Sequence, residues 1–261
     1  MAPKEPIIMT PVSRDCLGND MKKKCKQRSD IESGIHCNFE ETTCFAVTET
    51  FRSSQIVQVI SKTNEDIPPG FDLCKNILTL QAVALPFFVN KDLYTILNPR
   101  VASWFFTDEL GGCDVFVATA ANRQSSPMVI HSNRNKFKND LARNLQRKGE
   151  DVDEMLKRIS ESDGYEWKVI ARVYYGPTTE VEKENLGLNH YANKPRKIKL
   201  IGYDVSKYHF REHFSFFGQY IEPNILAKAW GYRPRWKFIL KVHSTGTILG
   251  EIVVSANGEL I

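Results

Sequence analysis

The sequence predicts one mixed α/β domain, dominated by strands, with β-sandwich-like sheets flanked by helices, over residues 36–261 behind a flexible basic arm at 1–35. Three observations carry this. Short β-branched and aromatic runs separated by polar or Gly/Pro turns recur along most of the chain. Helical periodicity is confined to two stretches, 137–159 and 223–231. The 42% apolar and 25% charged content is that of an ordinary globular protein, and 261 residues are enough for a sizeable core.

The elements follow in order. Residues 1–35 are polar, lysine-rich and aperiodic, as at Lys22-Lys23-Lys24-Cys25-Lys26, and read as a mobile arm. Residues 44–47 and 56–60 read as two strands joined by a polar turn at Arg52-Ser53-Ser54. A loop at 65–70 ends in Pro68-Pro69-Gly70, and 77–88 reads as a strand interrupted at Pro86, which cannot donate to a ladder. Residues 114–118 form a strand entered through a glycine turn, and 128–131 a short one after it. Phe137, Leu141 and Leu145 mark a first helix that stops near Gly149; Val152, Met155, Leu156 and Ile159 mark a second. Strands are expected at 167–175 and 198–203, and a short helix with Pro223 in its first turn ends near Gly231. A hairpin pairs 236–243 with 248–255.

Charge and cysteine usage exclude several classes. The net charge of +4 is modest and the basic clusters alternate with acidic ones, so no nucleic-acid partner is expected. The aromatic-basic run Tyr232-Arg233-Pro234-Arg235-Trp236 reads as an amphipathic strand edge. No apolar run approaches the roughly 20 residues that span a bilayer, so no membrane association is expected either. Without a secretory signal at the start, the expected location is the cytoplasm, or a host cytoplasm reached by a signal-independent route. Six cysteines without paired CxxC spacing predict neither a disulfide framework nor a zinc site. Cys25, His36, Cys37 and Cys44 could ligate a metal but lack the short paired loops of a structural zinc site, and His209 and His213, four apart, would share one helix face but have no third ligand in reach, so packing or free side chains are the plainer reading. No metal and no cofactor are expected, and the protein should be a monomer.

The chemistry concentrates at Leu110-Gly111-Gly112-Cys113-Asp114. Two glycines permit a tight turn with positive φ that lifts a thiol out of a sheet. The turn's backbone N–H groups, at Gly111, Gly112 and Cys113, are candidates to face a developing oxyanion. His131 follows 18 residues later, in a run able to pair with the strand after Cys113. A histidine there takes the thiol proton, leaving an imidazolium beside a thiolate, and later protonates a leaving amine.

The stretch Phe105-Phe106-Thr107-x-x-Leu110-x-Gly112-Cys113-x-Val115-Phe116 resembles the glutamine deamidase toxins of the Burkholderia lethal factor and cytotoxic necrotizing factor family. Leu85-Pro86-Phe87, Leu93 and Thr95 upstream and Pro127 downstream extend the likeness over residues 83–131, about a fifth of the chain. The chemoreceptor glutamine deamidases also place a threonine six residues before the cysteine. Gly111 stands where the toxins have serine, and the cysteine-to-histidine gap is longer by the polar run 122–126. The resemblance implies Cys113 as nucleophile, His131 as acid/base and Thr107 as the group that orients His131. It implies a toxin-like effector that converts a protein glutamine to glutamate through a thioester. The implied substrate is a host translation-initiation helicase first, which would inhibit translation, and a Rho-type GTPase second. A cysteine peptidase, a transglutaminase, and a non-catalytic binding module on the same scaffold are the alternatives.

Overall fold

The computed structural model describes the segments Ile8–Pro11, Gly34–His36, Thr43–Glu49, Ile56–Ser61 and Ile77–Leu85, then 90–107, 110–121, 123, 126–134, 140–176, 198–204, 214–242 and 247–261. Fourteen strands among these residues form two sheets. The first five segments are β1 to β5. Next come β6 (Asp92–Ile96), β7 (Trp104–Thr107), β8 (Asp114–Ala120) and β9 (Met128–Ser132). Helix α1 (Leu141–Asp163) leads into β10 (Trp167–Tyr175) and β11 (Lys199–Tyr203). The chain closes with β12 (Phe214–Ile221), α2 (Ile225–Ala229), β13 (Arg235–Val242) and β14 (Ile248–Ser255). One sheet runs β1-β4-β3-β5-β7-β12-β13-β14, the other β11-β10-β8-β9-β6-β2.

Inward-facing residues of both sheets meet in one core. Phe105, Phe216, Phe238 and Trp236 of the larger sheet pack over Val115, Val117, Val129 and Val173 of the smaller. The mixed α/β, sandwich-like single domain read from the sequence is the architecture observed. A second core lies on the opposite face of the smaller sheet, where Val152, Met155, Leu156 and Ile159 of α1 cover Phe116, Ala118, Met128 and Ile130. Strand β8 is therefore covered on both faces and buried at every position. This explains its near-continuous apolar sequence.

Several expectations need correction. The two helices are one: α1 runs through Gly149, because Leu145, Val152, Met155 and Ile159 form one unbroken stripe. A mid-helix glycine costs about 1 kcal/mol, less than burial of even one of those side chains returns. Asp140 caps the start by accepting from the Arg143 N–H, and Gly164, at φ 75°, ends the helix. Pro223 precedes α2, whose cap is Asn224. Within 1–35, read as an arm without regular structure, Ile8–Pro11 pairs in parallel with β4, and Gly34 and Ile35 begin a strand beside β6. Both are edge strands, where short segments add to an exposed ladder. The run 232–236 is no sheet edge: β13 pairs on both sides, and Trp236 is buried in the core.

Candidate functional site

Cys113, His131 and the glycine turn, three of the sequence candidates, lie at the end of the smaller sheet where β8 begins. Gly112 adopts φ 114°, a conformation that an L side chain rarely tolerates. Gly111 shows no such requirement, and a Cβ there would meet open space. The turn sends the chain into β8, where alternation places Cys113 with Val115 and Val117 on the inter-sheet face. His131 sits directly across from Val115 in the β8–β9 pairing. It alternates in step with Val129 of the same inter-sheet core, so it shares the face of Cys113. Cys113 and His131 are thus diagonal neighbours, a relation with Cβ atoms roughly 7 Å apart. Cys113 is 6% exposed and His131 0%, while Gly111 is exposed and Gly112 half-buried, so the open approach is from the turn.

Thr107 lies on β7 of the larger sheet, beside Leu85 and two residues after Phe105, both in the inter-sheet core. Its hydroxyl donates to the Phe216 carbonyl at 3.2 Å. A threonine has one hydroxyl proton, so toward any further partner Oγ1 acts as an acceptor.

Two holds fix the turn, and sequence reading missed both. Tyr203 Oη accepts from the Gly112 N–H at 3.2 Å and donates to the Cys113 carbonyl at 2.6 Å. Burial, followed by the Cys113 and Asp114 charges, pushes this phenol well above its usual value, so it remains a donor. The Gly112 N–H, a candidate oxyanion donor, is thereby engaged by Tyr203, and Gly112 serves the turn. From the other side, Lys148 Nζ donates to the Gly112 carbonyl at 3.1 Å and to Asp114 Oδ1 at 2.9 Å. Arg172 Nε donates to Asp114 Oδ2 at 2.9 Å, and Arg172 also bonds the Leu145 carbonyl of α1. With the Gly112 carbonyl held toward α1, the trans peptide aims the Cys113 N–H the opposite way.

A β-bulge makes the Arg172 contact. The β10–β8 register shifts between Val169 and Ala171. Trp167 and Val169 face α1, yet Ala171 and Val173 face the other sheet. The extra residue puts Arg172 on the helix side, over the Phe116 ring at 4.8 Å and beside Asp114. A charged residue inside Val169-Ile170-Ala171-Arg172-Val173, and another opening β8, were the sequence signals available. Replacing Tyr203 with phenylalanine keeps the ring and loses both turn bonds, which should cost about 1–3 kcal/mol. Denaturant unfolding and Cys113 alkylation rates measure this; unchanged values in both would show that the turn holds itself.

His131 has a distinct electrostatic state. Burial chiefly, and the Lys148 charge next, lower its pKa to about 3 against the opposing pull of Asp114. The imidazole is therefore neutral at pH 7, not the resting imidazolium that a preformed thiolate pair would hold. The linkage has a definite sign. A histidine whose folded pKa lies below the unfolded 6.5 contributes stability that is present above 6.5 and lost as pH falls toward 3. Asp92, raised to about 6 by burial against the pull of Arg134, acts oppositely, its contribution being lost as pH rises through 6. The two slopes offset each other between about pH 4 and 6. Wild type should therefore lose about 1.4 kcal/mol relative to His131→Gln for each unit of acidification in that window. Parallel stability profiles for the two proteins would refute the neutral buried state.

The other sequence candidates are placed as follows. His36 lies in the edge segment Gly34–His36 and Cys44 in Thr43–Glu49, whereas Cys25, Cys37, His209 and His213 fall outside the described residues. Among the described residues no helix is long and apolar enough to cross a membrane. No protein-family profile matches the chain, and no curated protein is significantly similar to it.

Proposed function

We propose that the protein is a toxin-like cysteine amidohydrolase that deamidates glutamine on a protein substrate. The observation that carries this reading is the arrangement of Cys113 and His131 as diagonal neighbours on one face, with the nucleophile's turn held on both sides. The resemblance of residues 83–131 to the deamidase toxins supplies the substrate class.

In this mechanism the Cys113 thiol gives its proton to neutral His131 as sulfur bonds to the carboxamide carbon. The Cys113 N–H faces the oxyanion that develops. The resulting imidazolium passes its proton to the leaving nitrogen, the C–N bond breaks, and ammonia departs. A water molecule, deprotonated by His131, then attacks the thioester; glutamate forms and the thiol is restored. Thr107 Oγ1, its proton committed to the Phe216 carbonyl, would accept from the protonated ring nitrogen and leave the other nitrogen as base. The host translation-initiation helicase is the first substrate to examine and a Rho-type GTPase the second.

Alkylation kinetics separate this reading from a binding module. Treated with iodoacetamide and analysed by peptide mass, Cys113 should react at a rate that falls when His131 becomes alanine. A Cys113 that alkylates no faster than a typical buried thiol, with or without His131, would favour the binding module.

A further inference from the structure

The connection between β12 and β13 exposes apolar surface that the rest of the fold does not use. Seven large hydrophobic residues are exposed among the described residues, and four lie within 225–232: Ile225 at 86%, Leu226 at 73%, Trp230 at 83% and Tyr232 at 54%. Helix α2 has no buried residue. At 100° per residue, Ile225, Leu226 and Trp230 fall on one arc of the helix and point outward together. A helix of five residues has little stability of its own. Here it is held by its ends: Asn224 accepts from the Ala227 N–H at 2.8 Å, and the Tyr232 N–H returns to the Ala227 carbonyl at 3.0 Å. The fold thus fixes an outward apolar face without covering it.

The surrounding charge selects the occupant. Between 222 and 235 stand Lys228, Arg233 and Arg235 against a single carboxylate, Glu222, which bonds Lys228 at 3.0 Å. Arg233 is exposed, and Arg235 lies over the Tyr232 ring at 5.9 Å. Exposed aliphatic and indole side chains beside three cations and one carboxylate match the apolar boundary and negative headgroups of an anionic bilayer. We propose that the β12–β13 connection is a peripheral membrane-binding tip that seats Ile225, Leu226 and Trp230 at the surface of an anionic lipid bilayer. The tip lies at the far end of β12 from Phe214, the residue bridged to Leu110 beside the Cys113 turn. Eight strand residues separate the two ends by roughly 25 Å, so a seated tip leaves the Cys113 turn away from the lipid. The proposal does not depend on the reaction assigned to Cys113.

The test is co-sedimentation of the full chain with phosphatidylserine–phosphatidylcholine vesicles and with phosphatidylcholine vesicles alone, at low and high salt. Binding should appear on the anionic vesicles and weaken as salt rises. Leu226→Ser/Trp230→Ser should reduce it about tenfold or more, with an unchanged melting temperature, because neither side chain is buried. Arg233→Gln should lose about fivefold on anionic vesicles and little on neutral ones. No binding to anionic vesicles at low salt, or equal binding by the serine variant, would overturn the proposal. So would light scattering that shows a dimer in wild type and a monomer in the serine variant without vesicle binding, which would assign the face to a second copy of this chain.

Discussion

Cys113→Ser should abolish turnover, by a factor on the order of 10⁴ or more, while the protein still folds. The expectation has two parts. Chemically, a serine hydroxyl facing a neutral imidazole is a far weaker nucleophile than a thiol at pH 7, and nothing else in the turn can replace it. Structurally, Cys113 is packed among Val115, Val117 and their partners at 6% exposure. A hydroxyl placed there loses water and costs about 1–3 kcal/mol. Cys113→Ala, which adds no polar group, is the matched control and should be equally inactive. Turnover is measured as ammonia release and stability by denaturant unfolding. A serine variant with near-normal turnover would remove Cys113 from the mechanism.

Asp114→Asn should be the most destabilising single change at the site, by about 3–5 kcal/mol. Asp114 is fully buried, Arg172 is 1% exposed and Lys148 4%, so the neutral amide would leave two interior cations without the carboxylate that both of them bond. The same substitution loosens the Lys148 hold on the Gly112 carbonyl, and so the turn should move with stability. Replacing all three charged residues together by apolar ones of similar volume should cost much less than the single change, because no uncompensated charge remains. The two unfolding curves, compared directly, test this. A triple variant as unstable as Asp114→Asn would show that shape, and not charge balance, decides.

The legible and illegible parts of this fold divide along physical lines. Strands whose sequence alternates or runs apolar, such as 167–175 and the closing hairpin, lie where pattern put them, because burial alone selects their faces. The Gly112 turn was legible as well, since few residues besides glycine occupy φ 114°. The unity of α1 was not, because Gly149 reads locally as a stop and only the core under the helix overrides it. The partners of Asp114 were hidden for a different reason. Lys148 and Arg172 stand 34 and 58 residues away, and a register shift in β10 decides which face Arg172 takes. Tyr203, 90 residues from Cys113, likewise reaches the turn only through the pairing of β11 with β10. The placement of His131 on the face of Cys113 could be guessed from spacing, but its neutral state depends on burial that one sequence does not display.

The central claim is that Cys113 turns a protein glutamine into glutamate, and peptide mass spectrometry of a treated eukaryotic cell extract tests it most directly. Exchange of NH₂ for OH adds about 1 Da to one glutamine peptide, so wild type should produce that shift and Cys113→Ser should not. A folded target is expected, since a broad interface gives discrimination that a lone carboxamide cannot. New chain termini in place of the mass gain would contradict the account in favour of a peptidase, and Cys113-dependent incorporation of an added amine in favour of a transglutaminase. The same modified peptides in extracts treated with wild type and Cys113→Ser would contradict it outright.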